Sequence, residues 1–303
     1  MNDFRRSPSA SGEPANRASR RLPNLVQSND FRRSPSASGE PANRIQFSKT
    51  SRAMLPALAI VALLALWEAL VRMLKVPAYV LPAPSQVLSA LWEDRVSLLQ
   101  HSGVTVAEAL GGMGISLVCA LALGVLMDIS EGVKAVLYPI LVVTQTVPMI
   151  VLSPILILYL GFGAAPKILT VVLMCFFPIV VSFADGMGQI DPGYVNLIRA
   201  YGGNRLQVYT QVKIPYALPA LFSGLKVAAT YSISGAVVGE WVASQAGIGY
   251  YLLRVKNSYA LDKMFASVLV IILLSLMMNA LITLLQRLCL PHLNRKDKGR
   301  NRK

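Results

Sequence analysis

The chain has 303 residues, of which 54% are hydrophobic and only 15% are charged, and its net charge is +14. A soluble globular domain rarely combines so many apolar residues with so few charges, so the composition excludes that class and indicates a polytopic membrane protein. The positive charge does not indicate a nucleic-acid partner, because Lys and Arg concentrate at the two ends of the chain and leave the apolar runs nearly bare.

The first fifty residues are polar and rich in Ser, Pro and Arg. Residues 2–17, with the sequence NDFRRSPSASGEPANR, recur identically at residues 29–44. A repeat without a hydrophobic face cannot bury a core, so we predict that residues 1–50 form a disordered basic tail. A membrane domain is expected over residues 51–290, followed by a second basic tail at 291–303.

Six apolar segments follow, and most are close to the ~20 residues that cross ~30 Å of hydrocarbon. Because the hydrocarbon contains no water to hydrogen-bond the backbone N–H and C=O groups, each segment must satisfy them internally and is expected to be helical. The predicted fold is therefore an all-α bundle of six transmembrane helices, with prolines that can kink the third and fourth. The segments are Met54–Leu74, Val104–Met127, Val136–Leu160, Ile168–Phe183, Leu218–Val238 and Phe265–Leu285.

The distribution of basic residues predicts the orientation. Residues 1–53 before the first apolar segment, residues 128–135, residues 184–217 and residues 286–303 after the last segment together carry 21 of the 29 Lys and Arg residues. Because loops rich in Lys and Arg stay in the cytoplasm, both termini are expected to be cytoplasmic. The membrane domain is predicted to lie in a lipid bilayer.

The loop between the fourth and fifth segments has strong helix signals. Asp191 and Pro192 form a helix start, with an N-cap carboxylate and a proline at the first position. Gly202 and Gly203 are expected to end that helix, and Asn204 to cap a second one over Arg205–Lys213. The loop, taken as residues 190–216, is therefore predicted to be a helix, a glycine break and a second helix.

A few polar side chains lie within or beside the apolar segments. Translocation of a solute and hydrogen bonding between helices explain the uncharged ones about equally well. Lys226 is interpreted as a lysine that snorkels towards the cytoplasm. The candidates for a translocation path are Gln145, Thr146, Tyr231, Ser232, Ser234 and Glu240.

Catalytic chemistry is not apparent in the sequence. It contains no GxxxxGK[ST] phosphate loop, its two histidines are isolated, and its three cysteines lack metal-ligand spacing. We therefore predict no catalytic residue, no metal and no cofactor.

The loop at 190–216 resembles the coupling loop of permease subunits in ABC importers. That family's loop reads EAA, three residues, Gly, nine residues and Ile-x-Leu-Pro. Gly202 matches the family glycine, whereas the EAA triplet is replaced here. The positions of the triplet are Asn196, Leu197 and Ile198, and those of Ile-x-Leu-Pro are matched by Val212, Ile214 and Pro215.

The resemblance extends over about residues 54–290. The block at 144–168, TQTVPMIVLSPILILYLGFGAAPKI, and the block at 235–252, GAVVGEWVASQAGIGYYL, are similar to permeases of the nitrate, sulfonate, taurine and bicarbonate group. The second block leans towards its branch for pyrimidine precursors of thiamine. Glu108 departs from the group, in which many members have arginine at this place.

This resemblance implies a MetI-like fold of the type I importers, a bacterial inner-membrane location and a homodimer of permeases. It also implies two cytoplasmic ABC ATPase subunits, which would hydrolyse ATP, and an extracytoplasmic solute-binding protein. Tyr201, Arg205 and Leu206 would contact the ATPase, with Gly202 and Gly203 shaping the turn. The cargo would be a small anionic or heterocyclic solute.

The alternative is a secondary transporter driven by an ion gradient, which should show two related halves and intramembrane acids.

Overall fold

A computed structural model describes residues 49–291, and all regular structure within that range is helical. The predicted basic tails at 1–50 and 291–303 lie almost wholly outside the described residues. From Leu55 onward the described chain belongs to one compact unit. The helices are α1 (Lys49–Met73), α2 (Pro84–Glu93), α3 (Arg95–Ile129), α4 (Glu131–Thr144), α5 (Met149–Leu160), α6 (Ala164–Gly188), α7 (Pro192–Ala200), α8 (Arg205–Val208), α9 (Ile214–Ala243), α10 (Ile248–Asn257) and α11 (Leu261–Cys289).

Five helical stretches in the described range are long and apolar enough to cross a membrane. A sixth is added if α4 and α5 count as one broken span. Five of the six predicted segments therefore correspond to long helices, most of which extend beyond the predicted bounds. The second segment becomes the 35-residue helix α3, because amphipathic residues on both sides of the apolar run continue the helix into the interfaces.

The third predicted segment is not one straight helix. It divides into α4 and α5, whose axes differ by 100° across residues 145–148. Pro148 stands at the break, where a proline has no N–H to donate and its ring disfavours a helical residue before it. The Thr146 hydroxyl donates to the Val143 carbonyl at 2.7 Å, which adds a hydrogen bond where the α-helical pattern ends.

Helix α6 is the centre of the bundle and packs along both α3 and α9. Small residues bring these helices together. A Cβ on Gly224 of α9 would lie 2.5 Å from the Pro178 carbonyl oxygen in α6, and a Cβ on Gly124 of α3 would lie 2.7 Å from the Phe183 ring. Close backbone approach of this kind is how membrane helices gain packing energy without a hydrophobic driving force between them.

The outward faces of α1 and α11 are apolar. Exposed leucine, isoleucine and valine side chains cover α1 from Leu55 to Leu70, and a similar set covers α11 from Val268 to Leu288. Such faces suit contact with the hydrocarbon of a bilayer.

We expect Gly224→Ala to destabilise the bundle by about 1–3 kcal/mol, because the new methyl group collides with backbone and the helices must separate. The measurement is thermal unfolding of the purified protein in detergent. Gly114→Ala is the matched control, since nothing lies within 4 Å of its added methyl group. Equal stability of the two variants would contradict this account of the α6–α9 contact.

Candidate functional site

The loop between α6 and α9 begins as the sequence predicts. The Asp191 carboxylate accepts a hydrogen bond of 2.8 Å from the Gly193 N–H, and Pro192 occupies the first turn of α7. The side chain thus satisfies a backbone donor that has no partner inside the helix. The predicted helix start is confirmed.

Two glycines end α7, each for a different reason. Gly202 has a φ of +77°, the left-handed conformation that glycine adopts without strain. Gly203 donates to the Ile198 carbonyl at 2.9 Å and Gly202 to the Arg199 carbonyl at 3.0 Å, which is the Schellman pattern. A Cβ on Gly203 would lie 2.5 Å from Cγ2 of Ile198, so this position has no room for a side chain. The predicted glycine break is confirmed.

The predicted second helix starts as expected but does not end at Lys213. Asn204 and Gln207 exchange hydrogen bonds of 2.9 and 2.8 Å in a capping box. Helix α8 then continues through a π-helical turn, Tyr209–Lys213, directly into α9. Pro215 accounts for the change, because its missing N–H cannot bond in the α pattern and the ladder shifts to the wider spacing.

The base of this loop is fixed to α3 by a partly buried polar contact. The Tyr209 hydroxyl donates to the Asp128 carboxylate at 2.6 Å, and the Lys213 ammonium pairs with the same oxygen. Val208 is buried beside them. Sequence reasoning missed Asp128 and Tyr209, which lie 81 residues apart and share no local pattern.

The tip of the loop presents an exposed apolar surface flanked by arginines. Its large side chains, which we call the α7 patch, are Tyr194, Leu197, Tyr201 and Leu206; Tyr201 is 86% exposed. An apolar patch of this kind typically marks a protein contact. Among the other predicted loop residues, Asn196, Gly202, Arg205 and Pro215 are exposed, and Ile198, Gly203, Val212 and Ile214 are half-buried.

The opposite end of the bundle is organised around Glu240, which is 1% exposed. Its carboxylate accepts hydrogen bonds from the Thr105 hydroxyl at 2.7 Å and from the Gly249 N–H at 2.6 Å. Thr105 in turn accepts from the Ile248 N–H at 2.9 Å. The first turn of α10 is thereby capped by side chains from α3 and α9, with the carboxylate at the positive end of the helix.

Glycine at position 247 makes this capping possible. Its φ is +109°, and a Cβ there would lie 2.1 Å from the Glu240 carboxyl carbon. The Gly247 N–H donates to Nδ1 of His101 at 3.0 Å. The spacing between Glu240 and the glycines at 247 and 249 therefore has a structural reason. The Glu240 carboxylate packs against Gly247 and accepts the hydrogen bond from Gly249.

A second buried carboxylate lies beside this cap. Glu108 of α3 forms an ion pair with Lys167 in the first turn of α6, and Lys167 also donates to the Ser244 hydroxyl at 3.2 Å. Glu108 Oε2 has no hydrogen-bond partner among the described residues. Sequence reasoning singled out Glu108 and Glu240 separately but missed Lys167, which links α6 to Glu108 and to Ser244 beyond the end of α9.

Helix α10 is also tied to the neighbouring helices by Asp94. Its carboxylate accepts a hydrogen bond from the Tyr251 hydroxyl and lies 3.0 Å from the Lys263 ammonium. Burial opposes ionisation of Asp94, but the Tyr251 hydrogen bond and the Lys263 charge outweigh it and lower the pKa of that carboxyl. Burial and the adjacent Asp94 carboxylate raise the pKa of Tyr251, which therefore remains a hydrogen-bond donor.

The six residues predicted for a translocation path do not form one surface. Ser232 and Glu240 are enclosed by packed helices and do not line a path in this structure; Ser232 bonds the Ala229 carbonyl and Glu240 caps α10. Tyr231 is exposed and Ser234 half-buried on one side of α9. Gln145 and Thr146 are exposed at the α4–α5 break.

Comparison with known proteins identifies the family. Residues 112–295 match the family model described as "Binding-protein-dependent transport system inner membrane component". The chain belongs to this permease family. It is 34% identical over 225 residues, 74% of this chain and 92% of the relative, to a probable ABC transporter permease protein of Haemophilus influenzae.

A second relative of the permease is the formylaminopyrimidine transport permease protein of Halalkalibacterium halodurans, 32% identical over 80% of this chain and 97% of the relative. Permeases named for aliphatic sulfonates in Bacillus subtilis and for taurine in Escherichia coli are 27% and 25% identical, over 77% and 76% of this chain and 84% and 86% of those proteins. These relatives confirm the predicted group, and one of them is named for formylaminopyrimidine transport.

The fold of the permease agrees with this assignment. A solved amino acid ABC transporter superposes with a TM-score of 0.54 at 15% identity, covering 65% of this chain and 96% of that one. The predicted all-α MetI-like membrane fold is confirmed.

The Asp94 contact gives the α10 end an acid-sensitive stability. Because the pKa of Asp94 is lowered by folding, its contribution is present above the unfolded value of about 3.9 and is lost as pH falls through the folded value. Thermal unfolding between pH 7 and pH 3 should show Asp94→Asn less stable than wild type at pH 7 and less sensitive to acid. Glu93→Gln, an exposed neighbouring carboxylate, is the control and should follow wild type.

Gly247→Ala should displace α10 from the bundle, since its methyl group would occupy the position of the Glu240 carboxylate. Hydrogen–deuterium exchange of residues 248–257 should then rise by at least about tenfold, because the first turn loses its caps. Gly103→Ala on α3, which has open space around it, should leave exchange unchanged. Normal protection of α10 in Gly247→Ala would refute this role for the glycine.

Proposed function

We propose that this permease is the membrane-spanning subunit of an ATP-driven importer that contains two permease copies, two cytoplasmic ATPase subunits and an extracytoplasmic binding protein. The observation that carries the proposal is the α7 patch. Its four large apolar side chains stand exposed on a loop whose turn is rigidly fixed by Gly202, Gly203 and Asn204. A rigid exposed patch lowers the ordering cost of binding and suits a docking element.

The ATPase contact is assigned to the predicted coupling residues. Tyr201 and Leu206 supply apolar area, and Arg205 supplies charge at the rim. The acidic residue of the family triplet is replaced by Asn196, so this contact depends on apolar area and positive charge rather than on a carboxylate. Interfaces of this kind concentrate their energy in a few aromatic and arginine anchors.

The docking loop is joined directly to a membrane-spanning helix. Residues 205–242 form one uninterrupted helical stretch, about 57 Å long at 1.5 Å per residue. Movement of the α7 patch on ATP binding would be carried along it to Glu240 and the α10 cap. The Asp128 contact would make α3 move together with the base of the loop.

The α10 end is assigned to the extracytoplasmic side, with both termini in the cytoplasm. The excess of Lys and Arg on the other side supports this orientation. The loop elements α2 and α10 would then receive the binding protein. Tyr231, Ser234, Gln145 and Thr146, the accessible members of the predicted set, remain candidates for the translocation path of a sulfonate, taurine, nitrate or thiamine pyrimidine precursor.

Gentle purification of the permease from its native membrane tests this proposal directly. Mass spectrometry should recover an ABC ATPase, a binding protein and the solute bound to it. Uptake in proteoliposomes should require internal ATP. Recovery of the permease alone, with uptake that an uncoupler abolishes and ATP does not drive, would favour the gradient-driven alternative.

Gly202→Asp should leave the permease in the membrane but remove ATPase co-purification and ATP-dependent uptake, because the substituted turn can no longer present the α7 patch. Gly132→Asp makes the same change in the first turn of α4, where an acidic residue suits the helix N-terminus. This variant should retain both ATPase co-purification and ATP-dependent uptake. Both variants are quantified by membrane abundance and by the ratio of ATPase to permease. Normal uptake by Gly202→Asp would refute the assignment of the ATPase contact to this loop.

A further inference from the structure

Helix α9 carries a polar side that differs from the surfaces of α1 and α11. Ser223, Val227, Thr230 and Tyr231 are exposed, and Lys226 is half-buried among them. The spacing of three and four residues places them on one side of the helix. Its opposite side, including Leu225, Ala228, Ala229 and Ile233, is buried against the bundle. A lysine and exposed hydroxyl groups do not suit hydrocarbon, so this side, which we call the α9 polar face, borders water, a ligand or a second copy of the permease rather than lipid.

Lys226 lies deep within the span. It is 13 residues from Lys213 at one charged cluster and 14 residues from Glu240 at the other, or about 20 Å from each along the helix. A lysine side chain extends little more than about one helical turn, ~5.4 Å, so its ammonium does not reach either interface by snorkelling. The structure therefore does not support the interpretation of Lys226 as an interfacial lysine.

The Lys226 ammonium has no counter-ion in the described part of the chain. None of the described carboxylates lies within the 4.0 Å that defines an ion pair, whereas Lys167, Lys213 and Lys263 each have one. The neighbouring polar contact involves only the backbone, since Asn279 of α11 donates to the Lys226 carbonyl at 3.4 Å. A charge at membrane depth without a partner is costly and typically marks a ligand or ion pathway.

An open groove of about 330 Å³ adjoins this ammonium. Lys226, Thr230 and Tyr231 from α9 and Asn279 from α11 line it, together with Val227. The groove thus combines one positive charge with hydroxyl and amide groups that can donate hydrogen bonds, and it contains no acidic residue. This donor set suits anionic oxygens of a carboxylate, sulfonate or phosphate group.

We propose that Lys226 binds the anionic group of the transported solute within the membrane, with Thr230, Tyr231 and Asn279 as neighbouring hydrogen-bond donors. This inference rests on the proposed importer function and narrows its cargo to solutes that carry an anionic oxygen group. A neutral heterocycle would leave the lysine without a counter-ion at every stage of transport. The α9 polar face is then part of the translocation path, and Lys226 is its selectivity-determining residue.

The test uses the complete importer in proteoliposomes with ATP inside. The probes are radiolabelled taurine, methanesulfonate and formylaminopyrimidine, together with the solute that mass spectrometry identifies in the co-purified binding protein. Lys226→Gln should reduce uptake of the anionic solute, or raise its KM, by about tenfold or more, as expected for a lost charge-assisted bond. Lys226→Arg should retain most uptake. Arg287→Gln, which removes one exposed positive charge in the last turn of α11, should match wild type.

Three results would overturn the proposal: a transported solute without an anionic group, wild-type uptake by Lys226→Gln, or separation of the permease pair by that variant on size-exclusion chromatography. The last result would assign the lysine to a contact with a second copy. Thermal unfolding of each variant distinguishes lost binding from lost folding. ATP-driven uptake of a neutral solute would leave the importer function intact and remove only this inference, whereas uptake without ATP would remove the importer function itself.

Discussion

Inside hydrocarbon a polar group has no water to bond, and the architecture of this permease depends on that constraint. Helix α9 shows it most clearly. At one end Lys213, in the π-helical turn that leads directly into α9, pairs with Asp128, and at the other end Glu240 accepts hydrogen bonds from Thr105 and the first turn of α10. Both contacts join α9 to α3, so the two ends of these helices are held in register by polar groups while the middle is held by close packing.

The close packing itself depends on small residues. Gly224 and Gly186 allow α9 to approach α6, and Gly112 and Gly124 allow α3 to approach it from another direction. Since apolar side chains gain little by leaving lipid for one another, contact at short range supplies the attraction. The result is a tightly packed trio of helices from which the α7 patch and the α10 cap project at opposite ends. Such a trio can transmit a displacement because its helices do not slide past one another freely.

Departures from this constraint are where function is expected. The α4–α5 break leaves backbone groups outside any helix, and the α9 polar face places a lysine at membrane depth without a described counter-ion. Both require water, a ligand or a second copy beside them. A polar face on the same helix that carries the coupling contact would place solute binding and ATPase docking on one rigid element.

Local signals in the sequence by themselves determined the helical spans, the start of α7 at Asp191 and its glycine end at Gly202, because caps, prolines and apolar run lengths act within a few residues. The coupling-loop motif also identified the family. Only the tertiary structure decided the bend at Pro148, since a proline within a helix can either kink or break it and its neighbours select the outcome. It likewise decided the pairing of Asp128 with Tyr209 and Lys213, and of Glu108 with Lys167, because these partners are 59 to 85 residues apart and no local pattern links them. Glu240 shows both kinds of information. The sequence determines its residue type and its spacing from Gly247, but its burial under the first turn of α10 depends on where α3 places Thr105.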